Sequence, residues 1–176
     1  IPVLDPGDTL AKVLESLTTQ TRLADEVILV DAGKDRKTES LVKLYSEVLN
    51  IVHTKTDKPS YPGRNRNIGA SVAKGTVLAF IDSKTVADKE WLKESLKKLS
   101  SNSYSVIFGF TKYEANSFIQ KIIRAATFGL IGHETTPGTI INKDTFNKKN
   151  NFFSARRSIY NKQADYGRNI SIIMIK

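Results

Sequence analysis

Two aspartates stand immediately after apolar, β-rich runs: Asp31 after Glu26-Val27-Ile28-Leu29-Val30, and Asp82 after the run from Thr76 to Ile81. In open α/β sheets the strand ends and helix starts leave a crevice along one rim, and ligands settle there. A carboxylate delivered to that rim accepts hydrogen bonds from a ribose or base, or ligates a divalent cation, without being buried. Taken singly, either aspartate serves equally well as a helix cap or turn former. Arg64 and Arg66 follow a Pro- and Gly-bearing loop, where guanidinium donors and the positive end of a helix dipole together suit phosphate oxygens. The plainer reading is two exposed arginines on a basic protein. His133 and Glu134 stand between apolar elements, but no further His, Cys or acid follows at a metal-like spacing, so a loop histidine is the commoner outcome.

The elements that must position these residues alternate along the chain, as expected when helices cover both faces of a mostly parallel sheet. The opening run Ile1 to Leu4 reads as the end of a strand begun upstream, which implies a truncated amino terminus. Asp8 is placed to cap a helix with Leu10, Val13, Leu14 and Leu17 on one face. Glu26–Val30 is a buried strand, and the next helix presents Leu41, Leu44, Tyr45 and Val48. Ile51-Val52-His53 begins a third strand, and a helix runs from near Arg64 to Gly75. The fourth strand leads to Asp82. A helix with Trp91, Leu92, Leu96 and Leu99 and a strand from Tyr104 to Phe110 then complete the core sheet. The remainder is predicted as an irregular region: an amphipathic helix near 116–130, a loop from Gly132 to Gly138, a short apolar run Thr139-Ile140-Ile141 and a final strand Ile170 to Ile175. One domain over 1–176 is expected, with a ligand-binding part to about 110 and a smaller part beyond it.

Composition narrows the function classes. The chain has 176 residues, a formal charge of +9 and no cysteine, which excludes disulfides and Cys-ligated zinc and suits a reducing, cytoplasmic setting. The basic balance fits anionic partners or simply a solvated lysine-rich surface. No zinc-finger spacing or aromatic RNA motif accompanies it, so nucleic acid is not expected as a partner. The first strand is followed by Asp5-Pro6-Gly7-Asp8 instead of G-x-G-x-x-G, against a dinucleotide-dependent dehydrogenase. No run reaches the roughly 18 to 20 apolar residues of a membrane-spanning helix. Phe118, Ile119, Ile122, Ile123 and Ala126, with Lys121 and Arg124, form a basic amphipathic stretch of the kind that lies in a membrane interface, although the same spacing serves an ordinary core helix.

Four segments in order resemble the inverting family 2 glycosyltransferases. They are Ile1-Pro2-Val3-Leu4-Asp5 with Asp8-Thr9-Leu10; Glu26 through Asp31-Ala32-Gly33; Gly63-Arg64-Asn65-Arg66-Asn67-Ile68-Gly69-Ala70; and Phe80-Ile81-Asp82-Ser83-Lys84-Thr85 leading to Trp91-Leu92. The resemblance implies a GT-A nucleotide-sugar-binding fold. It assigns Leu4, Asp5 and Asp31 to the nucleobase and ribose, and Arg64 to the base or diphosphate. Asp82 would open an Asp-x-Asp element whose last carboxylate holds Mn²⁺ or Mg²⁺, but that position is Lys84, and a protonated lysine is donor-only. Either Lys84 places its ammonium against the diphosphate, or leaving-group stabilisation is lost in a relative that only binds or assembles. The family's acidic general base matches Asp165 most nearly, without its usual glutamate neighbour, and Thr136-Pro137-Gly138-Thr139 would wall the acceptor. The implied partners are a nucleotide-diphosphate sugar and a saccharide or lipid-linked acceptor, at the inner face of a membrane if the amphipathic stretch docks there.

Overall fold

The computed structural model describes residues 1–5, 7–34, 36–56, 60–101, 104–128 and 133–147, so Asp165 and the final strand expected at Ile170 to Ile175 lie outside the described residues. The elements are β1 (Pro2–Val3), α1 (Thr9–Thr18), β2 (Val27–Asp31), α2 (Lys37–Tyr45), β3 (Ile51–Lys55), α3 (Pro62–Val72), β4 (Val77–Phe80), α4 (Trp91–Ser101), β5 (Val106–Thr111), α5 (Phe118–Phe128), β6 (His133–Asn142) and α6 (Lys143–Asn147).

The helical spacing of Leu10, Val13, Leu14 and Leu17 is realised: all are buried, and Leu10, Leu14 and Leu17 pack with Val3, Val27 and Leu29. Each such side chain contributes about 1.5–3 kcal/mol when removed from water, so this stripe fixes α1 over β1 and β2. Asp8 does not cap α1 through its side chain. Its exposed carboxylate instead lies 3.8 Å from Lys37 Nζ. On α2, Leu41 and Tyr45 reach the same core, but Leu44 and Val48 are exposed and Leu49 is buried in their place. The helix ends at Tyr45, and beyond it the helical period no longer decides which side chains turn inward.

The strands β1-β2-β3 form a parallel sheet flanked by helices, with Val3 opposite Asp31 and Leu29 opposite His53. The expectation that the core sheet is complete at Phe110 is corrected. A second sheet has the order β4-β6-β5, with β6 inserted antiparallel between the other two. Its central strand buries both faces: Ile140 packs with Leu92 and Leu99 of α4, and Ile141 with Ala70 and Ala73 at α3. A strand covered on both sides reads as a short continuous apolar run, which alone does not reveal its neighbours. The loop expected from Gly132 to Gly138 is likewise strand from His133 onward. Gly138 takes φ +87° and lies so close to Gly109 that a Cβ on Gly109 would stand 2.5 Å from Gly138 Cα. The glycines therefore permit the irregularity between Ile107 and Gly109 where the β5–β6 register shifts.

A cavity of about 310 Å³ lies between Val27-Ile28 and Val77–Ile81.

Candidate functional site

At the carboxyl ends of β1 and β2 the chain brings Leu4, Asp5, Asp31, Gly33 and Lys34 together. Asp31 Oδ1 accepts the Gly33 N–H at 2.8 Å, an aspartate turn two residues long, and Asp5 Oδ1 accepts the Lys34 N–H at 3.4 Å. A Cβ on Gly33 would lie 2.8 Å from Asp5 Oδ1 and 3.1 Å from Asp31 Oδ1, so the two carboxylates converge only because this residue has no side chain. Asp5 itself adopts φ +43°, a conformation rare for residues with a Cβ. Leu4 is half exposed beside it. Asp31 departs from the expectation of an unburied rim carboxylate. Its side chain is 0% exposed, because the Gly33 turn covers one oxygen and His53 Nε2 approaches Oδ2 at 3.3 Å.

The second part of the rim lies beyond β4. Asp82 is half-buried and forms an ion pair with Arg66 of α3. The same helix packs on β1 and β2, where Asn65 is buried and donates to Val30 O at 3.5 Å. One helix therefore links the two strand ends. The turn after Asp82 is anchored to α1: Ser16 Oγ accepts the Ala87 N–H at 3.1 Å, and Gln20 bonds both Asp88 O and the Leu92 N–H, at 2.6 and 3.1 Å.

The remaining expected residues are placed as follows. Lys84 is exposed in the turn after Asp82. Arg64 is exposed in the first turn of α3, away from Asp82, and the arginine that meets the aspartate is Arg66. The helix starts at Pro62, and Arg66, Gly69, Ala70 and Ala73 then fall at i, i+3, i+4 and i+7 on its inward face. Arg64 stands about 200° around the helix from Arg66. That inward spacing is the sequence signal that singles out Arg66. His133 and Glu134 belong to β6, opposite Thr111 and Phe110. In the expected acceptor wall, Gly138 O accepts the Trp91 Nε1–H at 3.0 Å, which ties β6 to the start of α4.

Mg²⁺ at a nucleotide site is held by one or two carboxylates together with substrate phosphates and water, so the residue at this corner that would have to hold such an ion is Asp82. Asp82 is already matched to a guanidinium, Lys84 brings a second cation, and no group of three His, Cys, Asp or Glu converges among the described residues. The Arg66 Nε–H is buried without a partner among the described residues, so this corner offers a further donor.

Ordered parallel strands with acidic ends, followed by an arginine-bearing helix, agree with the comparison to known proteins. The family model described as glycosyl transferase family 2 matches residues 1–167. The chain belongs to glycosyl transferase family 2. Among its family relatives, the uncharacterized glycosyltransferase YibD of Escherichia coli K12 is 34% identical over 84 residues, covering 47% of this chain and 24% of that protein. Human polypeptide N-acetylgalactosaminyltransferase 10 is 30% identical over 115 residues, covering 61% of this chain and 19% of the relative. This family 2 chain thus spans about a quarter or less of the length of these curated relatives. In three dimensions it is similar to Staphylococcus aureus TarS 1-349 in complex with UDP, with a TM-score of 0.68 at 19% identity over 92% of this chain and 51% of that one. The same protein in complex with UDP-GlcNAc gives 0.67 at 21% identity, covering 86% of this chain and 46% of that one. These likenesses establish the shared GT-A-type α/β fold.

Proposed function

We propose that this family 2 domain transfers a sugar from a UDP-linked donor to a saccharide or lipid-linked acceptor with inversion, using cationic side chains where a bridging metal would otherwise stand. The observation that carries the reading is the convergence of Asp5 and Asp31 on Gly33 at one strand end, joined through α3 to the Arg66–Asp82 pair at another. The UDP and UDP-GlcNAc bound to the similar TarS fold support the choice of donor.

In the proposed step the acceptor oxygen attacks the sugar's anomeric carbon opposite the diphosphate, and the bond from that carbon to the diphosphate oxygen breaks. Asp165 takes the acceptor proton, and negative charge accumulates on the departing nucleotide. Stabilising such charge is usually the largest catalytic contribution. Arg66 and Lys84 supply it in this reading, Arg66 from a half-buried position where its attraction is screened less than in water.

A second reading, a relative that keeps the fold and binds nucleotide without turnover, is favoured by Lys84 itself. Replacing Lys84→Asp and measuring UDP-sugar hydrolysis with and without Mn²⁺ separates them. A working lysine predicts at least a tenfold fall in rate, equivalent to about 1.4 kcal/mol. A Mn²⁺-dependent gain supports the second reading and overturns the first.

For the acceptor side, Phe118, Ile119, Ile122 and Ile123 of α5 are all more than half exposed, which departs from the core-helix reading. The sequence from Ala115 to His133 has no acidic residue but carries Lys121 and Arg124. Apolar insertion beside positive charge suits an anionic lipid surface holding a lipid-linked acceptor. No helix among the described residues is long and apolar enough to cross a membrane. Co-sedimentation with vesicles containing phosphatidylglycerol, lost in Ile119→Asp/Ile122→Asp, is the expected result; binding unchanged by the double substitution would rule the surface out.

A further inference from the structure

Ser16 stands on the buried face of α1, where the other side chains, Leu10, Val13, Leu14 and Leu17, are aliphatic. A buried hydroxyl needs partners to offset its desolvation. It donates to Val13 O at 2.7 Å within the helix and accepts the Ala87 N–H at 3.1 Å from outside it. Gln20, two residues past the end of α1, is buried as well. Its amide nitrogen donates to Ser16 O at 3.2 Å and Asp88 O at 2.6 Å, which spends both N–H groups, and its oxygen accepts the Leu92 N–H at 3.1 Å. The Thr21 N–H adds a bond to Lys89 O at 3.1 Å. One helix end therefore fixes the backbone from Ala87 to Leu92, 68 to 72 residues later in the chain.

The fixed segment begins just beyond the turn that carries Lys84. The Thr85 N–H donates to Asp82 O at 3.0 Å, so Ser83 and Lys84 are the two central residues of a β-turn. On its leading side this turn is attached to Asp82, which Arg66 holds. On its trailing side a single residue, Val86, separates Thr85 from the bonded Ala87. One residue spans at most about 3.6 Å, so the place of Ala87 limits where the turn can stand. Lys84 makes no ion pair among the described residues, and its ammonium is placed by the backbone beneath it. We infer that Ser16 and Gln20 are positioning residues for Lys84, fixing the segment that sets where the Asp82-Ser83-Lys84 turn stands against the donor diphosphate. This inference rests on the proposed reading in which Lys84 meets that diphosphate, and it specifies what holds the lysine there.

Placement matters at such a contact, because a shift of about 1 Å that originates far from the chemistry can cost about a hundredfold in rate. A role confined to folding is separable from a positioning role. Loosening a purely structural anchor weakens the protein alike whether or not position 84 carries a lysine. Loosening a positioning anchor acts on the ligand only through the ammonium, so its effect on affinity disappears when the ammonium is gone.

The test is calorimetric titration of UDP, without added divalent metal, into the full chain carrying Ser16→Ala, Ser16→Thr or Gln20→Met, each with Lys84 intact and in the Lys84→Ala background. Alanine removes the acceptor for the Ala87 N–H, and methionine keeps the length of Gln20 while removing its bonds to Asp88 and Leu92. With Lys84 intact, UDP binding is expected to weaken about fivefold in Ser16→Ala and about tenfold in Gln20→Met. In the Lys84→Ala background the same substitutions should change affinity by no more than about twofold. Ser16→Thr keeps the hydroxyl and is expected to bind within about twofold of wild type; a loss equal to that of Ser16→Ala overturns the inference. Equal losses in the two backgrounds overturn it, as does UDP binding left unchanged by both Ser16→Ala and Gln20→Met. Lys84→Ala binding UDP as tightly as wild type also overturns it, since there is then no lysine contact to position. If wild type binds no UDP, the donor reading itself fails and the inference falls with it. Thermal melts show which variants are folded at the titration temperature, and Ser16→Ala decides the matter if Gln20→Met does not fold.

Discussion

The two halves of the rim solve the placement of a carboxylate in opposite ways. At the ends of β1 and β2, Asp31 is held within its own turn by the backbone of Gly33 and by His53 on the adjacent paired strand. Beyond β4, Asp82 is held by the charge of Arg66, a side chain reaching from a helix. The first arrangement fixes direction, as recognition of a base or ribose requires. The second concentrates positive charge around one anion and leaves Lys84 exposed beside it, which suits a diphosphate more than a sugar ring.

The strongest way to break the comparison is to fill the space that the first arrangement depends on. Gly33→Val places carbon where Asp5 Oδ1 is 2.8 Å and Asp31 Oδ1 3.1 Å away. Backbone and both carboxylates must separate, and UDP affinity measured by calorimetry is expected to fall about a hundredfold, roughly 2.7 kcal/mol. The same clash is expected to lower stability by about 1–3 kcal/mol, read from thermal unfolding of the variant, so affinity is compared well below its unfolding transition.

The same contrast explains what could be read from residues alone. The alternation of strands and helices to β5, the buried stripe of α1 and the two strand-terminal aspartates follow from local period and strand-end position. The place of β6 does not, because Ile140 and Ile141 belong to a short apolar run whose partners lie 33 to 63 residues earlier, and pairing of that range leaves no local mark. His53 was invisible for a similar reason: its partner is fixed by strand register. Arg66 was legible in principle. The start of α3 at Pro62 decides which arginine faces inward, and the Pro-Gly pair reads as loop until the helix is seen to begin there.

The choice between the two arginines gives the smallest expected effects and the sharpest test of the second half of the rim. Arg66→Leu leaves Asp82 without its guanidinium. A fully buried pair broken in this way costs about 3–5 kcal/mol. Asp82 retains 35% of its side-chain exposure, so water recovers part of the loss and about 1–2 kcal/mol of stability is expected in a denaturant titration. Arg64→Ala removes an exposed side chain with no ion pair among the described residues, and stability should stay within about 0.5 kcal/mol. UDP affinity separates the two further. If the diphosphate sits at the Arg66–Asp82 corner, Arg66→Leu weakens binding at every salt concentration, whereas any contribution of exposed Arg64 fades as salt rises. Equal losses of stability from both substitutions would show that the charge at Asp82 is neutralised by the surrounding basic surface and not by one guanidinium.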